Sequence, residues 1–307
     1  MYTCTIHLSR CVTIFILALI APNITYAQSV CGNTDEECIS KNVITIAPGA
    51  NQSTVDLWTR HQNSTAVYGR TWIGPYTTDS RHMNGNRDTI IFVPAQFDRT
   101  KQADIFIWLH GHNGFNKFEN RILRHVPELY RRGLNPVFIL VEQPWSHWTS
   151  TRTSRNGTGP FRQPGEFQRW ENSMISMLQF LGVTIFDISG ENVYLFGHSA
   201  GGSGILSMSR SDALEQLRPG NIIFSDSTYG SWYRSFHDNY HSRYPSTRVA
   251  VLVRRGTTTH ESMRRFYRDR RGQIPETLRY MVLDNRTWTH KRIGDNCLLY
   301  PGSPFPP

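Results

Sequence analysis

The sequence has little of the long apolar character that a membrane-spanning helix requires. A helix that crosses a bilayer needs about 20 consecutive, mainly apolar residues. The one markedly apolar run lies near the start of the chain, between Cys11 and Ile20, and it is too short to cross. No later stretch approaches the required length. The sequence therefore predicts a mature chain without a transmembrane segment.

The same apolar run has the organisation of a secretory leader. Arg10 supplies a positive charge before it, and Thr25, Tyr26 and Ala27 surround a suitable cleavage point. This order of charge, apolar core and cleavage site is typical of signal peptides. We expect residues 1–27 to be a signal peptide that is removed after Ala27, and the mature chain to be secreted or periplasmic.

Cysteine is scarce, and no C-x-x-C pair indicates a structural zinc site. Two of the 5 cysteines lie within the expected leader, which leaves Cys31, Cys38 and Cys297. In an oxidising compartment an odd number predicts one disulfide bond and one free thiol. The bridge is either Cys31–Cys38 or a bond from Cys297 to one of the other two.

Acidic residues are outnumbered, with 24 Asp and Glu against 33 Lys and Arg, for a net charge of +9. Losing Arg10 with the leader lowers this to +8. Such an excess favours solubility or a weak attraction to anionic surfaces. The basic stretch 263–271 is either a solvated helix face or the place where such a surface is met. No nucleic-acid partner is expected.

Internal repeats, low-complexity tracts and linkers are also lacking, and about 280 residues after the leader suit one large domain. Residues 28–88 are rich in Asn, Ser, Thr and Gly and predict an N-terminal segment with one or two edge strands. From there to residue 307, buried-type strands alternate with helical patterns such as 117–132 and 165–181. This alternation predicts crossover connections and a mostly parallel sheet in a catalytic domain over 89–307.

The most informative motif is Gly197-His198-Ser199-Ala200-Gly201, which directly follows the apolar run 193–196. It is a G-x-S-x-G pattern between a predicted strand and a helix that starts with small residues. Such an elbow places the central serine in a strained backbone conformation above the sheet edge. The N-terminus of the following helix favours negative charge beside it. Ser199 is therefore the candidate nucleophile.

On these motifs, residues 89–295 resemble the α/β-hydrolase superfamily. The order of an early glycine-rich loop (110–114), the elbow, an acid and a histidine carries the resemblance. It implies an α/β fold, with a mostly parallel sheet of about eight strands flanked by helices, and a Ser–His–acid triad. It also implies acyl-enzyme chemistry on a small-molecule or acyl substrate, without metal or organic cofactor.

The resemblance places the catalytic base after the last strand, where His290 stands. His260, after the preceding predicted strand, is the alternative. The usual strand end for the acid offers no carboxylate before Glu261, but Asp226 directly follows the strand after the elbow. Asp226 is therefore the predicted acid, with Glu261 and Asp284 as alternatives. Asp226 could instead cap a helix.

Two backbone N–H groups are expected to hold the oxyanion. The resemblance assigns one to Ala200 and the other to the glycine-rich loop, at His112 with Asn113 next. A metal site at His110 and His112 is disfavoured because a third ligand at plausible spacing is lacking.

The long loop after the strand at 137–141 carries Trp145 and Trp148. These two side chains either line the substrate cleft or anchor the loop. An esterase is the first hypothesis for the function and a secreted serine peptidase of the same fold the second. A non-catalytic binding protein on a hydrolase scaffold is the third, although a binder has no need of the serine, the histidine and the oxyanion loop together.

Thiol titration of the denatured, unreduced mature protein is expected to find about one free group per chain, because two of the three remaining cysteines pair in an oxidising compartment. Titration after reduction serves as the control and should find all three. Three free thiols without reduction would contradict both the disulfide bond and the compartment.

Overall fold

A computed structural model describes residues 43–62, 69–76, 87–112, 114–143, 161 and 164–298. In this part of the chain, nine strands form one sheet. Their bounds are β1 (Val43–Ile46), β2 (Gly69–Pro75), β3 (Asp88–Pro94), β4 (Asp104–Leu109), β5 (Pro136–Val141), β6 (Val193–His198), β7 (Asn221–Ser225), β8 (Arg248–Arg254) and β9 (Leu278–Leu283).

The strand order is β1-β2-β3-β5-β4-β6-β7-β8-β9. Strand β3 runs antiparallel to both of its neighbours, β2 and β5. Every other pairing among these strands is parallel. The predicted mostly parallel sheet is confirmed, and this topology is that of an α/β-hydrolase fold. About eight strands were expected, and the parallel pairing of β1 with β2 makes the count nine.

Helices cover both faces of the sheet. In the described residues they are α1 (Gln52–Gln62), α2 (Phe118–Arg121), α3 (Val126–Arg131), α4 (Glu166–Phe180), α5 (Gly201–Ser209), α6 (Ala213–Leu217), α7 (Trp232–Phe236), α8 (Thr258–Asp269) and α9 (His290–Asp295). Short 3₁₀ turns, Phe115–Lys117 and Leu123–His125, flank α2, and a π-helical turn, His237–His241, follows α7.

The helical pattern at 117–132 breaks into pieces instead of forming one helix. Pro127 lies in the first turn of α3. A proline is tolerated there because the first N–H groups of a helix have no partner within it. The proline therefore marks the start of a separate helix.

The sheet is buried on both faces, which is why its strands read as continuous apolar runs. Alternate residues of β4 face opposite sides, so Ile105 and Ile107 join one core and Phe106 and Trp108 join the other. Phe106 stacks on Tyr194 of β6 with 4.7 Å between the ring centroids. This contact adds side-chain packing to the backbone pairing of the neighbouring strands β4 and β6.

The N-terminal segment shares this sheet and core. Strand β2 pairs with β3 along its full length. Trp58, Trp72 and Tyr76 are buried and serve as packing residues of this segment. Trp58 lies in α1 and contacts Phe118 at 4.7 Å between ring centroids. These contacts join the first elements to β3 and to α2, which follows the glycine-rich loop.

Several predictions fall outside the described residues: the leader (1–27), Cys31, Cys38, Asn113, and the tryptophans Trp145 and Trp148. Cys297 is buried and carries a free thiol. Burial raises the pKa of that thiol to about 12. Within the described ranges, no helix is both long and apolar enough to cross a membrane.

The parallel strands bring the candidate site together. Strands β4, β6, β7, β8 and β9 are consecutive neighbours in the sheet, so their carboxyl ends meet at one edge. The glycine-rich loop follows β4, Ser199 follows β6, Asp226 follows β7 and His290 lies beyond β9. Ligands bind at this edge in open α/β sheets.

Candidate active site

Ser199 occupies a strained elbow between β6 and α5. Its φ is +54°, in the left-handed region that a residue with a side chain rarely adopts. Its N–H donates to the carbonyl oxygen of Ser225, at 3.1 Å. A strained backbone persists only where the surrounding structure holds it, and such residues cluster at active sites. The strain predicted from the G-x-S-x-G pattern is present.

The elbow needs its glycines for space. A Cβ at Gly201 would lie 2.0 Å from the carbonyl oxygen of Leu109, and one at Gly197 would lie 2.9 Å from the backbone of Gly201. Gly202 is equally tight, at 2.2 Å from the carbonyl oxygen of Ser227. Larger residues at these positions would push the serine away from the sheet edge.

The imidazole of His290 is oriented by Asp226. Its Nδ1 lies 2.7 Å from Oδ2 of Asp226. Because an ionised carboxylate only accepts hydrogen bonds, Nδ1 carries the proton and Nε2 keeps its lone pair. The side chain of Asp226 is 1% exposed and that of His290 33%. The imidazole of His290 is thus accessible to a ligand, whereas the carboxylate of Asp226 is buried beneath it.

Asp226 accepts hydrogen bonds from two further side chains. Thr259 Oγ1 donates to Oδ1 at 2.5 Å, and Arg254 Nε donates to Oδ2 at 3.0 Å. The Asp226 backbone is also strained, with a φ of +46°, and its N–H donates to the carbonyl oxygen of Leu252 at 2.7 Å. The carboxylate is therefore fixed in place from several directions.

These contacts decide the charge of Asp226. Burial raises the pKa of the carboxyl group, but hydrogen bonds from His290, Thr259 and Arg254 outweigh burial and lower the pKa from 3.8 to about 2. The group is therefore an anion at neutral pH. An anion at this place can hold the imidazole tautomer and stabilise an imidazolium ion.

The alternative candidates lie in other contacts. His260 accepts from the N–H of Gly256 at 2.9 Å. Glu261 is exposed and pairs with Arg264 at 3.1 Å. Asp284 accepts from a backbone N–H in its own turn, at Arg286. In the described residues, the carboxylate in contact with His290 is that of Asp226.

His110 anchors the glycine-rich loop after β4. Its Nδ1 donates to the carbonyl oxygen of Gly111 at 2.6 Å, and its Nε2 accepts from the N–H of Gln143 at 2.7 Å. Burial lowers the pKa of His110 to about 3, so the ring is neutral. Both ring nitrogens are thus engaged and neither is available to a metal ion. No cluster of three metal-binding side chains occurs in the described ranges.

The loop backbone lies directly against Ser199. A Cβ at Gly111 would be 2.6 Å from Cβ and 3.3 Å from Oγ of Ser199. The following residue, His112, is exposed. On the other side, Ala200 ends the elbow, and its N–H has no acceptor among the described residues. Backbone groups of this loop and of Ala200 therefore border the serine hydroxyl.

Sequence reasoning missed three neighbours of Ser199 and Asp226. Arg254 is the last residue of β8, and Thr259 lies beyond it. An acid was expected at this strand end, but both residues instead donate hydrogen bonds to the carboxylate of Asp226. Tyr229 follows Asp226 by three residues, and its hydroxyl group lies near the side chain of Ser199. Burial raises the pKa of Tyr229. Its place in the loop after β7, near a predicted acid, was the available signal.

Comparison with known proteins gives distant structural likenesses. No family model matches the chain, and no curated protein sequence matches it. The feruloyl esterase module of Clostridium thermocellum shows 12% identity and a TM-score of 0.48, with 74% of this chain and 84% of that one covered. An IroE-like serine hydrolase from Shewanella oneidensis shows 13% identity and a TM-score of 0.45, with 74% of this chain and 78% of that one covered. LpqC, a poly(3-hydroxybutyrate) depolymerase from Bordetella parapertussis, shows 13% identity and a TM-score of 0.45, with 80% of this chain and 92% of that one covered. Such values are too low to transfer an activity, a substrate or the role of a residue.

The lowered pKa of Asp226 predicts a contribution to acid stability. The folded state binds this proton less tightly than the unfolded state, so the stabilisation is present above about pH 4 and is lost as the pH falls towards about 2. The shift from 3.8 to about 2 corresponds to on the order of 2 kcal/mol. Over that interval the free energy of unfolding, measured with urea, should fall more steeply for the wild type than for Asp226→Asn. A gap between the two proteins that does not vary with pH would contradict this.

Proposed function

We propose that this protein is a serine hydrolase that cleaves a carboxylic ester through an acyl-enzyme intermediate. The observation that carries the proposal is the 2.7 Å contact from His290 Nδ1 to the buried carboxylate of Asp226, at the same sheet edge as the strained Ser199. A serine hydroxyl becomes a useful nucleophile when a base can take its proton. The orientation of His290 supports that role because its Nε2 is left as the acceptor.

In the first half of the reaction, His290 Nε2 takes the proton of Ser199 as Oγ attacks the ester carbonyl. Asp226 stays ionised and stabilises the imidazolium that forms. His290 then returns the proton to the departing alcohol. The hydrogen bonds of Thr259 and Arg254 to Asp226 keep the carboxylate in place during this change of charge.

The negative charge that develops on the carbonyl oxygen needs donors already in position. We assign the Ala200 N–H and the loop backbone at His112 to this task. The closeness of Gly111 to Ser199 supports the loop assignment, and the N-terminus of α5 adds a favourable dipole. One such donor is worth about 10²- to 10³-fold in turnover in a serine protease.

In the second half, His290 activates a water molecule that attacks the acyl group on Ser199. Release of the acid restores the free serine. Each step uses side chains and backbone groups of this chain, and the chemistry calls for neither a metal ion nor an organic cofactor. We also propose that the chain acts outside the cytoplasm, on the strength of the leader-like residues 1–27.

Two other functions remain as alternatives within the proposal. A peptidase would use the same triad on an amide, and a panel of esters and peptide amides distinguishes the two. A binding protein on this scaffold would not react with a serine-directed probe. Trp145 and Trp148, outside the described residues, stay candidates for lining the substrate cleft.

Ser199→Ala is expected to abolish labelling by a fluorophosphonate probe and nearly all hydrolysis of chromogenic esters. The hydroxyl is the group that reacts, while the elbow accommodates a small side chain without unfolding. Thermal melting of the variant checks the fold. Near-normal ester hydrolysis by folded Ser199→Ala would overturn the assignment, and a wild type that is inert to both probe and esters would favour the binding protein.

Asp226→Asn is expected to lower turnover by at least about 10²-fold, because an amide of the same shape presents the wrong group to the imidazole. The equivalent change in a serine protease lowers turnover by about 10⁴-fold. Glu261→Gln and Asp284→Asn are matched controls and should each lower turnover less than about tenfold. One substrate serves for all three, with folding checked by melting. Normal hydrolysis by Asp226→Asn with an inactive Glu261→Gln would move the acid to the end of β8.

A further inference from the structure

A second histidine lies buried against the catalytic one. His198, the residue before Ser199, is 3% exposed, and its ring centroid is 4.6 Å from that of His290. Its Nδ1 lies 2.6 Å from Nη1 of Arg121, and its Nε2 lies 3.1 Å from the carbonyl oxygen of His290. Both ring nitrogens of His198 therefore have a partner.

The partners determine where the proton of His198 resides. A guanidinium group donates and cannot accept, so Nδ1 of His198 must be the acceptor of the Arg121 hydrogen bond. The proton of the neutral ring is then on Nε2, which donates to the carbonyl oxygen of His290. Burial lowers the pKa of His198, and the charge of Arg121 lowers it further, so the ring stays neutral.

The same arginine also reaches the far end of the helix that begins at His290. Arg121 is 7% exposed, and its Nε donates to Oδ1 of Asp295 at 3.1 Å. Arg124 adds a bond to the carbonyl oxygen of Asp295, at 2.6 Å. Helix α9 therefore receives hydrogen bonds at its first and its last residue from side chains outside it.

Helix α9 needs such contacts because it is short. A helix of 6 residues is not stable by itself in water, so its position is set by what it packs against. The packing against His198 is close: a Cβ at Gly294 would lie 2.6 Å from Nε2 of His198. The backbone of α9 thus rests on the His198 ring.

We propose that His198 is a positioning residue, which holds the backbone of His290 through its Nε2–H and thereby sets the distance between the catalytic imidazole and Ser199. Arg121 selects the tautomer that makes this hydrogen bond and ties the other end of α9 to the same point. The proposal rests on the proposed function, since it concerns the imidazole that serves as base there. A displacement of about 1 Å at a reacting group can lower turnover by about 10²-fold.

The test compares His198→Phe with His198→Gln in ester hydrolysis. Phenylalanine fills the space of the ring but makes neither hydrogen bond, so kcat is expected to fall about 10- to 100-fold with KM within about twofold. Glutamine offers an acceptor for Arg121 and a donor for the carbonyl oxygen of His290, and it should restore kcat to within about fivefold of the wild type.

His241→Phe is the matched control, since His241 is a fully buried histidine whose partners, such as Tyr233, lie outside the site. Both phenylalanine variants are expected to lose stability, but only His198→Phe should lose kcat in the folded fraction. A folded His198→Phe with kcat within about twofold of the wild type would overturn the positioning role. So would a glutamine variant as poor as the phenylalanine variant.

A second measurement determines the tautomer of His198 in the wild-type protein, so it depends neither on the folding of the variants nor on catalytic activity. In wild-type protein labelled with ¹⁵N-histidine, NMR at neutral pH should show the proton of His198 on Nε2 and none on Nδ1. The opposite tautomer would overturn this inference alone. A wild type with the expected tautomer but without reaction with esters or fluorophosphonate would instead overturn the proposed function, and with it the catalytic meaning of the contact.

Discussion

The buried carboxylate of Asp226 is the constraint around which the described site is arranged. An ionised carboxylate that leaves water without partners costs several kcal/mol, so donors must come from the elements around it. They come from the end of β8, from α8 and from α9, as Arg254, Thr259 and His290. The hydrogen bonds to this one carboxylate therefore hold three separate parts of the chain together at the sheet edge where Ser199 lies.

Much of this arrangement could be predicted from the sequence, because its causes are local or topological. The elbow around Ser199 depends on a strand, a tight turn and small residues, all within about a dozen positions. The pairing of Asp226 with His290 follows from parallel strands, whose carboxyl ends meet wherever β7 and β9 lie in the sheet. Continuous apolar runs indicated strands that are covered on both faces, and the structure has them so.

The unpredicted parts depend on side chains that meet across long stretches of chain. Arg121 and Asp295 are 174 positions apart, and no periodicity relates them. Arg254 and Thr259 lie at the strand end where an acid was expected. Because the sequence was searched there for carboxylates, their role as hydrogen-bond donors to Asp226 was missed. The apolar spacing over 117–132 indicates helix, but it gives no sign that Arg121 contacts both His198 and Asp295. Packing of this kind becomes visible only in three dimensions.

The free thiol of Cys297 lies two residues beyond α9. Only the thiolate reacts readily with oxidants and disulfides, and the raised pKa and complete burial of Cys297 leave almost none of it in the folded chain. In the folded chain, therefore, this sulfur exchanges only slowly with other thiols and disulfides. Packing of Cys297 in the core thus protects its sulfur from oxidation for as long as the region around α9 stays folded.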